Sequence, residues 1–286
     1  MRVAVVTDST AYLTGEQAAD HGVRVVPLQV VVGGTAYDEG VEIGPAEVAT
    51  ALRSWTPVST SRPSPQAFLD AYTAAADAGV DEIVSLHISA EMSGTYESAV
   101  LAARESPVPT QVVDSRSMAM GLGFLVLDAA RAAEAGEDAA AIAARARRCA
   151  AGSRGFFVVA TLEHLRRGGR IGSAAAILGS ALAIKPVLEL DDGVIGPLEK
   201  VRTTSRAVAR LEELAVAAAG ARPVNVAVHH LDAPDRAGAL AERLQTRLAD
   251  RLAPPGQVVL AEVGAVVGAH VGPGMVAVVV VPADED

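Results

Sequence analysis

The chain has 286 residues, 50% hydrophobic but only 3% aromatic, enough for one large or two smaller α/β domains with a core of Ala, Val, Leu and Ile. With 24 basic against 34 acidic residues the formal net charge is −10, which argues against a general nucleic-acid binder. Cys149 is the single cysteine, so an internal disulfide and a thiolate metal framework are excluded, and a reduced, cytoplasmic setting is expected.

Arg2 to Thr7 predicts a buried strand, too short for a signal sequence. The Asp8-Ser9-Thr10 loop behind it is either a site or a helix cap. Gly15 to His21 predicts a short helix, and Val23 to Val32 a strand with Pro27 at an edge or kinked position. Gly33-Gly34 marks a hairpin returning through Thr35 to Tyr37. Pro45 to Trp55 predicts a helix with proline at its favoured first position. Two prolines make Thr60-Ser61-Arg62-Pro63-Ser64-Pro65 a stiff extended loop, with an amphipathic helix from Gln66 to Ala78 behind it.

Glu82 to Ala99 predicts a short strand, a polar loop, and a first helical turn at Ser93-Gly94-Thr95-Tyr96. The unpaired N–H groups of such a turn, above the carboxyl end of a strand, make an anion site. Gln111 to Asp114 is a further strand, with helices at Met118 to Ala135 and Asp138 to Ala151. Strand and helix in alternation imply a mostly parallel α/β sheet with helices on both faces. Right-handed crossovers would bring the carboxyl ends of its first, third and fourth strands together.

Near residue 152 the pattern changes, dividing an N-terminal α/β domain, 1–152, from a C-terminal α+β domain with a mixed sheet, 153–286. A strand at Phe156 to Ala160 leads into Leu165-Arg166-Arg167-Gly168-Gly169-Arg170. Ser173 to Ala183 predicts an apolar small-residue helix. Asp191-Asp192-Gly193 marks a hairpin between Pro186 to Leu190 and Ile195 to Val201. Ser205 to Ala219 and Pro234 to Leu252 predict helices among the strands Val224 to His230, Val258 to Glu262 and Met275 to Val281. No apolar run reaches the ~20 residues that span a bilayer, so no stable membrane insertion is expected.

Ser93, Asp114 and His270 follow the chain order of a serine hydrolase, although Glu91 and Thr95 stand where a nucleophile elbow has glycines. No phosphate-binding glycine motif follows the first strand. His229 and His230 would point to opposite faces of a strand, and His21, His87 and His164 lack carboxylates at ligand spacing, so neither metal nor cofactor is expected. His270 lies between Gly268 and Gly272-Pro273-Gly274, where stiff, small-residue backbone can present one imidazole at a cleft. Arg166, Arg167, Arg170 and Arg202 read equally as a solvated basic face or as recognition of phosphate or carboxylate.

Taken together and in order, several segments resemble the DegV family of bacterial fatty-acid-binding proteins. They are VTDST (6–10), TSRPSP (60–65), ISAEMSGTYESA (88–99), VVDS (112–115), LRRGGRIG (165–172), KPVL (185–188), KVRT (200–203) and GAHVGPG (268–274). The resemblance implies two α/β domains with a long-chain fatty acid buried between them, its carboxylate held by Thr60, Ser61, Ser93, the Gly94 N–H and His270. It also implies a partner, a separate fatty acid kinase that phosphorylates the presented acid, with Arg170 and Arg202 near the head group or the partner surface. Ser173 to Ile184 would be a candidate tunnel wall. The family loop usually reads TSQPSP, and Arg62 replaces that glutamine here. On this reading Ser93 donates a hydrogen bond and attacks nothing.

Overall fold

The computed structural model describes residues 2–177 and 184–283. In chain order the elements are β1 (Val3–Asp8), α1 (Gly15–Asp20), β2 (Arg24–Val26), β3 (Gln29–Val32), β4 (Thr35–Asp38), α2 (Pro45–Arg53), β5 (Val58–Ser61), α3 (Pro65–Asp77), β6 (Glu82–His87), α4 (Thr95–Ala103), β7 (Thr110–Asp114), α5 (Met120–Glu134) and α6 (Ala139–Gly152). There follow β8 (Arg154–Val158), α7 (Glu163–Arg167), β9 (Lys185–Asp191), β10 (Val194–Val201), α8 (Thr204–Ala219), β11 (Val224–His230), α9 (Pro234–Arg247), β12 (Val259–Glu262), α10 (Ala265–Val271) and β13 (Val276–Pro282).

Among the described residues the strands form a parallel sheet ordered β2-β1-β6-β7, an antiparallel sheet β4-β3-β5, and a mixed sheet β10-β9-β8-β13-β11-β12. Alternation along the strands assigns their faces. In the parallel sheet Val6 and Ile83 pack with Phe68 and Tyr72 of α3, while Val5 and Val84 face α5 and α6. In the mixed sheet Val279 and Val281 face α5 and α6, while Val278 and Val280 pack with Leu211 of α8 and Leu240 of α9. Helices α5 and α6 are therefore the layer between two sheets. A helix apolar on all sides suits that place, and α5 buries residues around its whole circumference, from Met120 to Val126 without a break. The α5 backbone comes so close that a Cβ on Gly123 would meet the Ala11 carbonyl oxygen at 2.5 Å.

The expected strand at 23–32 is two strands in two sheets. Pro27 has no N–H to give a ladder, and the chain leaves β2, parallel to β1, to begin β3 in the antiparallel sheet. Thr60 and Ser61 end a paired strand, β5, where an extended loop was expected. GAHV at 268–271 forms the last turn of α10, and the turn behind it runs through Gly272, Pro273 and Gly274, with both glycines at positive φ. Asp192 and Gly193, both at positive φ, form the expected β9–β10 hairpin. Of the apolar helix expected at 173–183, Gly172–Ile177 is a 3-10 helix, and 178–183 lies outside the described residues.

Asp8 answers the question left at the DST loop, because it is a cap. One carboxylate oxygen accepts from the Thr10 N–H and hydroxyl, and the other from the Ile88 N–H at 2.9 Å. His87 Nδ1 lies 3.1 Å from that second oxygen, His87 Nε2 is 2.7 Å from Ser85 Oγ, and the Tyr72 hydroxyl donates to Ser85 Oγ at 2.9 Å. Asp8, Ser85 and His87 are fully buried. His87 has a carboxylate partner after all, 79 residues away, and His21 pairs with Glu134.

Candidate functional site

The carboxyl end of the parallel sheet faces the mixed sheet across a cavity of about 200 Å3. Its polar end gathers Thr60, Ser61 and Arg62 from β5 and its exit, Ser93 and Gly94 before α4, Arg170 behind α7, and His270 of α10. Thr60 and His270, 210 residues apart, are joined by a hydrogen bond of 2.8 Å between Oγ1 and Nε2. His270 Nδ1 is buried without a partner among the described residues.

Burial, and then the Arg170 guanidinium, lower the His270 pKa to about 4, so the imidazole is neutral at pH 7. The Thr60–His270 pair then has one proton to offer in either tautomer. If Nε2 accepts from Thr60, Nδ1–H is free; if Nε2 donates, the Thr60 hydroxyl proton is free. Gly168 lets the ring lie where it does, since a Cβ there would collide with Nδ1.

Arg170 is anchored by backbone, its Nε donating to the Met92 carbonyl at 3.1 Å and Nη1 to the Gly168 carbonyl at 2.6 Å. It thereby ties the loop before α4 to the loop behind α7. Arg62 lies over Gly94, where a Cβ would collide with its guanidinium. The charged groups lining the cavity are Arg62 and Arg170, with no carboxylate among the described lining residues. Ser93 Oγ is 2.8 Å from Thr95 Oγ1 and accepts from the Thr95 N–H. The Ser61 hydroxyl donates to the Arg62 carbonyl at 3.3 Å.

The other end is apolar. Met118, Ile195, Val267 and Val271 also line a second, smaller space of about 60 Å3 that continues between Phe157, Leu190, Val263 and Met275. His229 lies at its far side, satisfied and neutral. The Met120 N–H donates to its Nε2, and its Nδ1 is 3.3 Å from the Ala261 carbonyl; burial lowers its pKa to about 4.

The expected arginine cluster separates. Arg166 and Arg167 both pair with Glu163, Arg167 also stacking over Trp55 at 5.2 Å, and only Arg170 reaches the cavity. Arg202 is exposed just past β10 and is not a lining residue. The hydrolase alternative does not assemble. Asp114 accepts from the Ala90 and Arg116 N–H groups, the Ser93 hydroxyl pairs with Thr95, and among the described residues no carboxylate pairs with His270.

A family model described as an uncharacterised protein of the DegV family matches residues 2–283. The chain belongs to the DegV family. A DegV domain-containing protein of Streptomyces coelicolor is 55% identical over 278 residues, which cover 97% of this chain and 98% of that relative. Among solved structures, a DegV family protein from Thermus thermophilus, named for fatty acid binding, superposes with a TM-score of 0.92 at 35% identity, covering 99% of this chain and 100% of that one. DegV of Bacillus subtilis, named as a fatty acid binding protein, gives 0.88 at 32% identity over the same shares. The mixed α/β architecture is that of these DegV neighbours.

Sequence reasoning missed the apolar continuation past Met118 and Ile195, and the side chains that hold α10, Tyr12 and Glu39. Only Gly264 could have hinted at the latter, because a Cβ there would run into both.

Proposed function

We propose that this DegV family member binds a long-chain fatty acid, with the carboxylate at the Thr60–His270 end of the cavity and the acyl chain along the apolar continuation. One observation carries the reading: two adjoining spaces that share Met118, Ile195, Val267 and Val271 have hydroxyls, a spare donor and two arginines at one end and, His229 apart, apolar walls at the other. A carboxylate would gain charge-assisted hydrogen bonds from Thr60, Ser61, Ser93, the Gly94 N–H and the His270 imidazole. Each CH2 taken out of water would add about 0.8 kcal/mol. The two halves, 1–152 and 153–286, are the lobes that enclose the ligand.

In this reading the chain is a binding and presenting protein of the cytoplasm and performs no chemistry itself. A separate fatty acid kinase phosphorylates the exposed carboxylate, with Arg170 beside the head group and Arg202 facing the partner or the phosphate. The backbone-anchored guanidinium of Arg170 supports the first assignment, and the exposure of Arg202 away from the cavity supports the second. Native mass spectrometry of the purified protein with lipid extraction tests the proposal. It should find fatty acid released as the free acid. A chain with no affinity for fatty acids, and with esterase activity lost in Ser93→Ala, would replace it with the hydrolase reading.

A further inference from the structure

Helix α10 carries His270 in its last turn, and its first turn presents N–H groups with no partner inside the helix. Two of these are taken by side chains from the far end of the sequence. The Val266 N–H donates to Glu39 Oε1 at 2.7 Å, and the Val267 N–H to the Tyr12 hydroxyl at 3.2 Å. The other carboxylate oxygen of Glu39 accepts from Ser9 at 2.5 Å, and Ser9 Oγ in turn accepts from the Leu28 N–H. Gly264 permits the approach, since a Cβ there would collide with the Tyr12 ring and the Glu39 carboxylate.

Both ends of α10 are thus tied to the N-terminal half, one through Glu39 and Tyr12 and the other through Thr60. Val266 and His270 are four residues apart, on one stripe of the helix, and both line the head-group cavity. We propose that Glu39, together with Tyr12, is the positioning residue for His270, and that ionisation of Glu39 tightens the hold on α10 and with it the grip on the ligand's head group. The ligand part of this inference rests on the fatty-acid reading; the coupling between Glu39 and His270 does not.

Glu39 is placed to titrate in the neutral range. Burial, with a smaller push from Asp8, outweighs its hydrogen bonds and raises its pKa to about 7. A space of about 430 Å3 opens beside it, between the loop after β1 and the start of α2. The titratable groups facing it are Asp8 from the end of β1 and Tyr12 from the turn behind it, with Asp38 and Glu42 neighbours on its own segment. The first turn of α10 contributes no charged side chain, and the described residues lining the opening include no Lys, Arg or His. A hydrogen bond to a carboxylate is roughly twice as strong as one to a neutral group, so loss of the charge should cost about tenfold in affinity.

The test is decanoate affinity from pH 6 to 8.5, where that probe stays ionised, on the full chain, beside the imidazole 15N signals of His270 without ligand. His270 remains neutral over that range, so movement of its signals reports its setting and not its own proton. In the wild type, affinity should fall about tenfold from pH 8 to pH 6, and the His270 signals should move with a midpoint near 7. Glu39→Gln should give flat profiles at the low-pH level. Ser9→Ala, which removes one donor from the carboxylate, should shift the midpoint upward. Wild-type profiles in Glu39→Gln, or affinity that grows as pH falls, would overturn the inference. His270 signals that follow Glu39 in a protein that binds neither decanoate nor palmitate would uphold the coupling and sink the fatty-acid reading.

Discussion

His87 and His270 sit in similar chemical company and do different things. Each has a ring nitrogen against a hydroxyl, Ser85 at 2.7 Å and Thr60 at 2.8 Å. In His87 the other nitrogen meets Asp8, and the chain from Tyr72 to Asp8 is complete and fully buried. In His270 the other nitrogen is buried with no partner among the described residues, and the residue lines a cavity with no carboxylate among its described lining residues. Although Asp8, His87 and Ser85 together have the residue types of a hydrolase triad, no substrate can reach Ser85. A closed polar network in a core holds structure, whereas an open one at a cavity holds a ligand.

Substitutions should separate the two. His87→Ala leaves Asp8 and Ser85 each one partner short in a fully buried network, with a cavity where the ring was, and should cost about 3 to 5 kcal/mol of stability, read by chemical denaturation, with affinity unchanged in the folded fraction. The pH dependence of stability is the next largest effect. The His270 pKa is held below its unfolded value, so its contribution is complete above pH 6.5 and is lost as pH falls from 6.5 towards 4, at most about 3 kcal/mol. His270→Ala should flatten that part of the acid limb. The same variant should weaken fatty acid binding by about tenfold to a hundredfold, since one charge-assisted hydrogen bond contributes about 1.5 to 3 kcal/mol, while the fold survives. Ser93→Ala should cost about fivefold in affinity, measured by calorimetry, because its hydroxyl is already shared with Thr95. On the proposed kinase reading, Arg202→Ala should leave affinity unchanged and lower acyl-phosphate formation by that partner; turnover at the wild-type rate would remove Arg202 from the proposed partner surface.

Local chemistry was legible in the sequence where it depends on neighbours in the chain. The Asp192-Gly193 turn, the proline at the start of α2 and the alternation that builds the parallel sheet from β1, β6 and β7 stand as expected. The hydroxyls, the glycine and the imidazole that line the cavity were legible as a set, because the ordered motifs name those residues although they do not give their local structure, as for His270 on a helix and Thr60 on a strand. What stayed hidden depends on long-range pairing. Nothing within ten residues of His87 announces Asp8, and nothing near Glu39 announces the backbone of Val266, 227 residues on. The change of sheet at Pro27 stayed hidden for a related reason: proline marks a kink, but the choice of a second sheet is made by Val58–Ser61, which pairs with Gln29–Val32.

Palmitate labelled with 13C at its carboxyl carbon tests the central claim most directly. Bound to the wild-type protein, its carboxyl should titrate at least about one unit below the usual carboxylic-acid range, because the donors around Thr60 and His270 favour the charged form. In His270→Ala the midpoint should move back towards that of the free acid. A bound carboxyl that titrates as the free acid does in both proteins would contradict the account.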